Sequence, residues 1–153
     1  MKTILYLFLL ICAVPVFAQS NIESEITSIV NISRYNHKYD VLSINSKLYK
    51  TFDKAIAKIK TPADTTINEI EKVLKEIRLH LDTSYPWQDF VSNYAVVVTT
   101  NQELDPLAVV MKMVKSVDDA VTRIPQLNTL VPKYWEYSVN NKKIIFIYLV
   151  GFE

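Results

Sequence analysis

The chain has 153 residues, half of them hydrophobic, with 17 lysines and arginines against 16 aspartates and glutamates. So near-neutral a balance gives no general attraction to nucleic acid or to an anionic membrane. A single glycine, Gly151, excludes glycine-rich phosphate loops, which need several glycines to bring backbone N–H groups onto phosphate, and a single cysteine, Cys12, excludes an internal disulfide.

In chain order, residues 1–18 read as a cleavable signal peptide. Lys2 gives the positive start, Ile4 to Val14 the apolar core, and Val16-Phe17-Ala18 after Pro15 the cleavage site. A spanning helix needs about 20 apolar residues, and this run is shorter. A lipoprotein signal at Cys12 would want small residues before it, where Leu10 and Ile11 stand. Cleavage after Ala18 is therefore expected. It leaves residues 19–153 as one exported domain, periplasmic or secreted, cysteine-free and formally uncharged. Such a domain must be held by ordinary packing.

Ser20 and Glu23 have capping-box spacing, and Ile22, Ile26, Ile29, Val30 and Ser33 share a face, which predicts a helix over about 21–33. Asn31-Ile32-Ser33 is a glycosylation triplet of a kind that arises often by chance. A second helix is expected over about 40–60, with Val41, Ile44, Leu48, Phe52, Ala55, Ile56 and Ile59 as its stripe and Thr61-Pro62 as its end. Thr66 and Glu69 form a second capping box, opening a helix whose seam reads Ile67, Ile70, Leu74, Ile77 and Leu81.

Residues 86–101 admit two readings. As a helix from Pro86, they put Trp87, Phe90, Val91, Tyr94, Val97 and Val98 on one face; as a strand, they use the β-branched run from Ala95 to Thr100. The helix is preferred, because only Val96 breaks its stripe. Asp105-Pro106 then caps a helix carrying Leu107, Val110, Met111, Val114, Val117, Val121 and Ile124 up to Pro125. Last, Tyr134 to Val139, Asn140-Asn141 and Lys143 to Val150 read as a β-hairpin, with Ile144 to Val150 apolar on both faces and therefore buried. The fold class expected is mainly α, α+β at the margin: a bundle of four to five amphipathic helices with a C-terminal β-hairpin.

Chemistry-bearing patterns are sparse. A zinc site needs three or four ligands, and neither His37 nor His80 has a second histidine at i+4. His80 lies one helical turn after Glu76 with Asp82 close by, which suits either a hydrolase using His80 with a carboxylate or a solvated surface pair. No serine stands in a nucleophile elbow. Asp118 and Asp119 would point about 100° apart on a helix, and so belong to a polar face. Met111 and Met113 raise the question of haem or copper, but Met111 on an apolar face reads more simply as core, and no cofactor or metal is expected.

Binding surfaces are better represented. Lys47, Lys50, Lys54 and Lys58 form a stripe opposite the apolar face of their helix, which is either a solvated face or a contact for anions. Tyr134, Trp135 and Tyr137 offer rings that stack on a partner or finish a core. The leading expectation is an exported, non-enzymatic helical protein that binds a protein partner or an envelope component, without nucleic acid and without a stable membrane anchor. The alternatives are a carrier of a small apolar ligand in a cavity lined by Val97, Met111, Val114 and Ile145, and the His80 hydrolase.

Overall fold

The computed structural model describes residues 22–86, 89–100, 104–116 and 119–153. The expected signal peptide, Ser20 of the first expected capping box, Trp87, Val117 and Asp118 lie outside the described residues. The elements in order are α1 (residues 22–36), β1 (Ser43–Ile44), α2 (Ser46–Ile56), α3 (Ile67–Ser84), β2 (Phe90–Thr99), α4 (Pro106–Met113), α5 (Ala120–Arg123), β3 (Thr129–Val139) and β4 (Lys142–Phe152). The strands form one mixed sheet in the order β1-β3-β4-β2, with β1 parallel to β3 and the other pairs antiparallel.

The expected mainly α bundle is corrected by this sheet: the fold is α+β, in three layers. On one face α2 and α3 bury Leu48, Phe52, Ile77 and Leu81 against Val131, Trp135, Ile144, Phe146 and Tyr148. On the other face Ile26 and Val30 of α1, Val110 of α4 and Val121 of α5 cover Leu130, Ile145, Ile147 and Leu149. Every residue from Ile144 to Val150 is buried, as a central strand apolar on both faces requires. The hairpin turns where expected. Asn140 and Asn141 both have positive φ, at 51° and 61°, and the two-residue loop joins Val139 to its register partner Lys142.

Residues 90–99 are the chief misreading. They form a strand, β2, paired with β4 from Phe90↔Phe152 to Thr99↔Lys143, where a helix was expected. The physical reason is that β2 also meets apolar layers on both sides: Val96 packs into one core and Val91, Ala95 and Val97 into the other. A strand covered on both faces loses the alternation that marks a strand, and its apolar positions then fit a helical stripe equally well.

Two helices are shorter than their stripes. The second begins at Ser46, where Asn45 Oδ1 accepts from Lys47 N (3.0 Å) and Leu48 N (3.2 Å); Val41 and Ile44 before it are exposed, and Ile44 lies in β1. The expected helix over 106–124 is split into α4 and α5. Its start is as read, with Asp105 Oδ1 accepting from Leu107 N (2.9 Å) and Pro106 in the first turn. Asp119 then stands at the N-cap position of a second short helix, without a side-chain bond to its backbone. Its buried carboxylate accepts from Thr122 Oγ1 (2.6 Å) and from Asn93 Nδ2 of β2 (3.1 Å), so the restart is fixed by a strand distant in sequence.

In α3 half of the expected capping box forms: Thr66 Oγ1 accepts from Glu69 N, while Thr66 N donates to Asp64 Oδ1 (2.8 Å) and Glu69 Oε2 accepts from Ala63 N (3.2 Å). The buried row is Val73, Ile77 and Leu81, flanked by the partly buried Ile70 and Leu74, while Ile67 is 73% exposed. At the far end of α3 the Tyr85 hydroxyl donates to Leu48 O of α2 (2.6 Å), and burial pushes its pKa up to about 12. Ile77→Ala should therefore cost about 2–5 kcal/mol in a urea titration, whereas Ile67→Ala should change stability by less than about 0.5 kcal/mol. Equal costs would contradict this burial.

Candidate functional site

Of the sequence-predicted binding residues, Lys47, Lys50 and Lys54 are exposed along α2, and Lys58 is exposed in the turn after it. The row lies on the outward face of a helix whose inward face is Leu48, Phe52 and Ala55. The aromatic trio is divided by the period of β3. Trp135 is buried and stacks on Phe146 (centroids 5.1 Å apart, 6° between planes), and Tyr137 meets the same ring edge-on at 5.8 Å. Tyr134 faces the other layer. Its hydroxyl donates to Glu136 Oε2 (2.8 Å), and burial together with that carboxylate raises its pKa well above the usual phenol range.

His80 is partly buried on α3, and no hydrogen bond joins it to Glu76 or Asp82. Asp82 pairs instead with Arg78 (3.1 Å). Among the described residues no group of three histidine, cysteine or acidic side chains is placed to hold a metal ion. The glycosylation triplet is occupied structurally: Asn31 Nδ2 donates to Leu42 O (3.0 Å) and Asn31 Oδ1 accepts from Leu42 N (2.8 Å).

Two buried cations escaped the sequence reading. Arg34, at the end of α1, is fully buried and donates only to backbone carbonyls. Nε reaches Asp40 O (2.8 Å), Nη1 reaches Val121 O (3.1 Å) and Ile124 O (2.8 Å), and Nη2 reaches Pro125 O (3.3 Å) and Leu127 O (3.2 Å). Lys133, on β3, pairs with Glu23 Oε1 of α1 (2.9 Å) and Asp53 Oδ1 of α2 (2.6 Å), and its Nζ lies 4.0 Å from the centroid of the Tyr49 ring. Glu23 also accepts from Tyr134 N (3.1 Å). Burial raises the Glu23 pKa, and the hydrogen bond and charge of Lys133 oppose that rise. Lys133 had one local signal: in a strand it shares a face with Val131 and Trp135, so the alternation points it inward. Arg34 had none, because four of its five acceptors lie far along the chain, between Val121 and Leu127.

Arg34 shapes a groove with the size and lining to hold a ligand. By fastening residues 121–127 to α1, it sets α5 and the end of α4 beside the C-terminal half of α1. Between them runs an open groove of about 480 Å³, within the range of about 300–1,000 Å³ usual for small-molecule sites. Ile29, Ile32, Met111 and Val114 make its apolar surface; Ile32 is 61% exposed and Met111 44%. His37, Lys115 and Arg123 stand around it, and no aspartate or glutamate is among its described lining residues. Ser33 Oγ donates to Val114 O (3.4 Å), tying the walls together, and Arg123 Nε donates to Ser116 O (3.1 Å). His37 Nδ1 lies 2.7 Å from Ser33 O, a carbonyl that can only accept, so the proton sits on Nδ1 in the neutral ring.

This groove contains half of the cavity expected from sequence. Met111 and Val114 line it, while Val97 and Ile145 belong to the packed layer beneath. Within α4 the buried residues are Val110 and Met113, and Met111 between them faces outward at 44% exposure. Among the described residues no helix is long and apolar enough to cross a membrane. No family model, no curated protein and no solved structure matches the chain.

Proposed function

We propose that this is an exported, non-catalytic binding protein that takes a small amphipathic anion, an apolar chain ending in a carboxylate, in the groove between α1 and α4. The observation that carries the reading is the composition of that groove: exposed Ile32 and Met111 beside Lys115 and Arg123, with no acidic side chain among the described lining residues. Apolar surface gives about 25 cal/mol per Å² on burial, which supplies affinity for the chain. Exposed cations add at most about 1 kcal/mol each and select the sign of the head group. The export part of the proposal rests on the arrangement of residues 1–18.

Isothermal titration of residues 19–153 with dodecanoate tests the reading. Lys115→Glu should weaken binding by about five- to tenfold at low salt and less at high salt, and Met111→Asp should remove it. Dodecylamine should bind more weakly than dodecanoate. Equal binding of the two amphiphiles, or no binding of dodecanoate, would overturn the proposal.

A further inference from the structure

The edge of the sheet formed by β2 is unusually open. Natural edge strands are blunted by charged residues, proline, bulges or short length, because their unpaired N–H and C=O groups invite another strand. Phe90–Thr99 reads FVSNYAVVVT, ten residues with no charge and no proline, and its register with β4 runs from end to end without a bulge.

The backbone groups on the open side follow from the hairpin. Residues flanking a two-residue loop form a hydrogen-bonded pair, so Val139↔Lys142 is one, and pairs two residues further along repeat it. Even-numbered residues of β4 thus bond to β3, and odd-numbered residues bond to β2. On β2, Val91, Asn93, Ala95 and Val97 face β4, while Ser92, Tyr94, Val96 and Val98 direct N–H and C=O away from the sheet. Tyr94 agrees: its N–H is taken by the Asn93 side-chain oxygen at 2.8 Å. No hydrogen bond from another described segment reaches the backbone of Val96 or Val98 on that side.

We propose that a second copy of this chain occupies the edge, β2 pairing antiparallel with its partner's β2 about a two-fold axis through Val96. The pattern is self-complementary. Tyr94 (50% exposed) and Val98 (39% exposed) stand two residues either side of Val96 on the face covered by α2 and α3. A two-fold axis perpendicular to the sheet sets Tyr94 of each copy opposite Val98 of the other and Val96 opposite Val96. The outward N–H and C=O of Val96, and the Val98 N–H with the Tyr94 C=O, then meet in register, while the Tyr94 N–H pairs across only if it leaves Asn93 Oδ1; both exposed apolar side chains are covered, and a neutral strand meets a neutral strand without like-charge repulsion. A strand from an unrelated protein would need none of this symmetry.

Sedimentation velocity of residues 19–153, over a roughly hundredfold concentration range, tests the state. A reversible dimer is expected, and Tyr94→Lys with Val98→Lys should return it to monomer, since lysine on an edge opposes pairing. Hydrogen exchange of the unsubstituted protein gives a second readout: the Val96 and Val98 amides should exchange more slowly as concentration rises. A monomer throughout would overturn the proposal. So would a dimer that leaves those two amides unprotected, even if the lysine variant fails to fold.

Discussion

Arg34→Ala is expected to lower stability by about 3–5 kcal/mol, a large share of the usual total of about 5–15 kcal/mol and nearly all of it at the low end of that range. The side chain is wholly buried, and its guanidinium uses each of its five N–H donors on a carbonyl. Truncation leaves those acceptors without the donor that offset their desolvation, and such groups cost about 1–3 kcal/mol each where water cannot replace it. Arg34→Lys keeps the charge but has three donors in a compact head, and it cannot span acceptors from Asp40 to Leu127. It should still cost about 2 kcal/mol or more. Urea titration followed by fluorescence of the buried Trp135 measures both. A loss under about 1 kcal/mol for the alanine variant would show that the loop holds without the arginine. Because Arg123, in the segment that Arg34 fastens, lines the groove, folded Arg34→Lys protein should also bind dodecanoate more weakly.

Lys133→Met is expected to be nearly as damaging, at about 3 kcal/mol or more, because it removes the cation and leaves the Glu23 carboxylate buried near Asp53. Adding Glu23→Gln should recover part of the loss, since an amide tolerates burial better than a carboxylate. Failure of the second substitution to restore any stability would mean that the pair acts only through packing.

The same group sets a pH dependence. Glu23 has its folded-state pKa raised above the ordinary value of 4.5, first by burial. The folded protein therefore binds this proton more tightly than the unfolded chain. Its contribution is fully present below 4.5 and is lost as pH rises through the raised folded value. The stability of wild type relative to Glu23→Gln should fall with rising pH across that window. In Lys133→Met the fall should extend to higher pH, because the hydrogen bond and charge that hold the Glu23 pKa down are gone. A difference that grows with pH would reverse the assignment.

Much of the local structure was legible because its causes are local. Thr66 caps α3 and Asp105-Pro106 opens α4 through bonds that span two or three residues, so spacing alone reveals them. Asn140-Asn141 announces a turn because asparagine tolerates positive φ. The run from Ile144 to Val150 reads as buried because nothing in it is polar enough to face water on either side except the Tyr148 hydroxyl. Of the groove, Met111 and Val114 were legible as apolar positions, but not the surface they would line.

The sequence by itself determined the starts of α3 and α4, the hairpin turn and a strand needing cover on both faces. Only the tertiary structure decided that residues 90–99 join β4 as a strand, that the helix after Pro106 breaks before Asp119, and that Arg34 and Lys133 are interior. Each of these depends on a partner remote in the chain: Phe146 and Ile145 for β2, Asn93 for Asp119, the carbonyls of residues 121–127 for Arg34, and Glu23 for Lys133. Periodicity measures how apolar a segment's own faces are. It carries no information about which neighbour covers them, and where both faces are covered it cannot separate a helix from a strand.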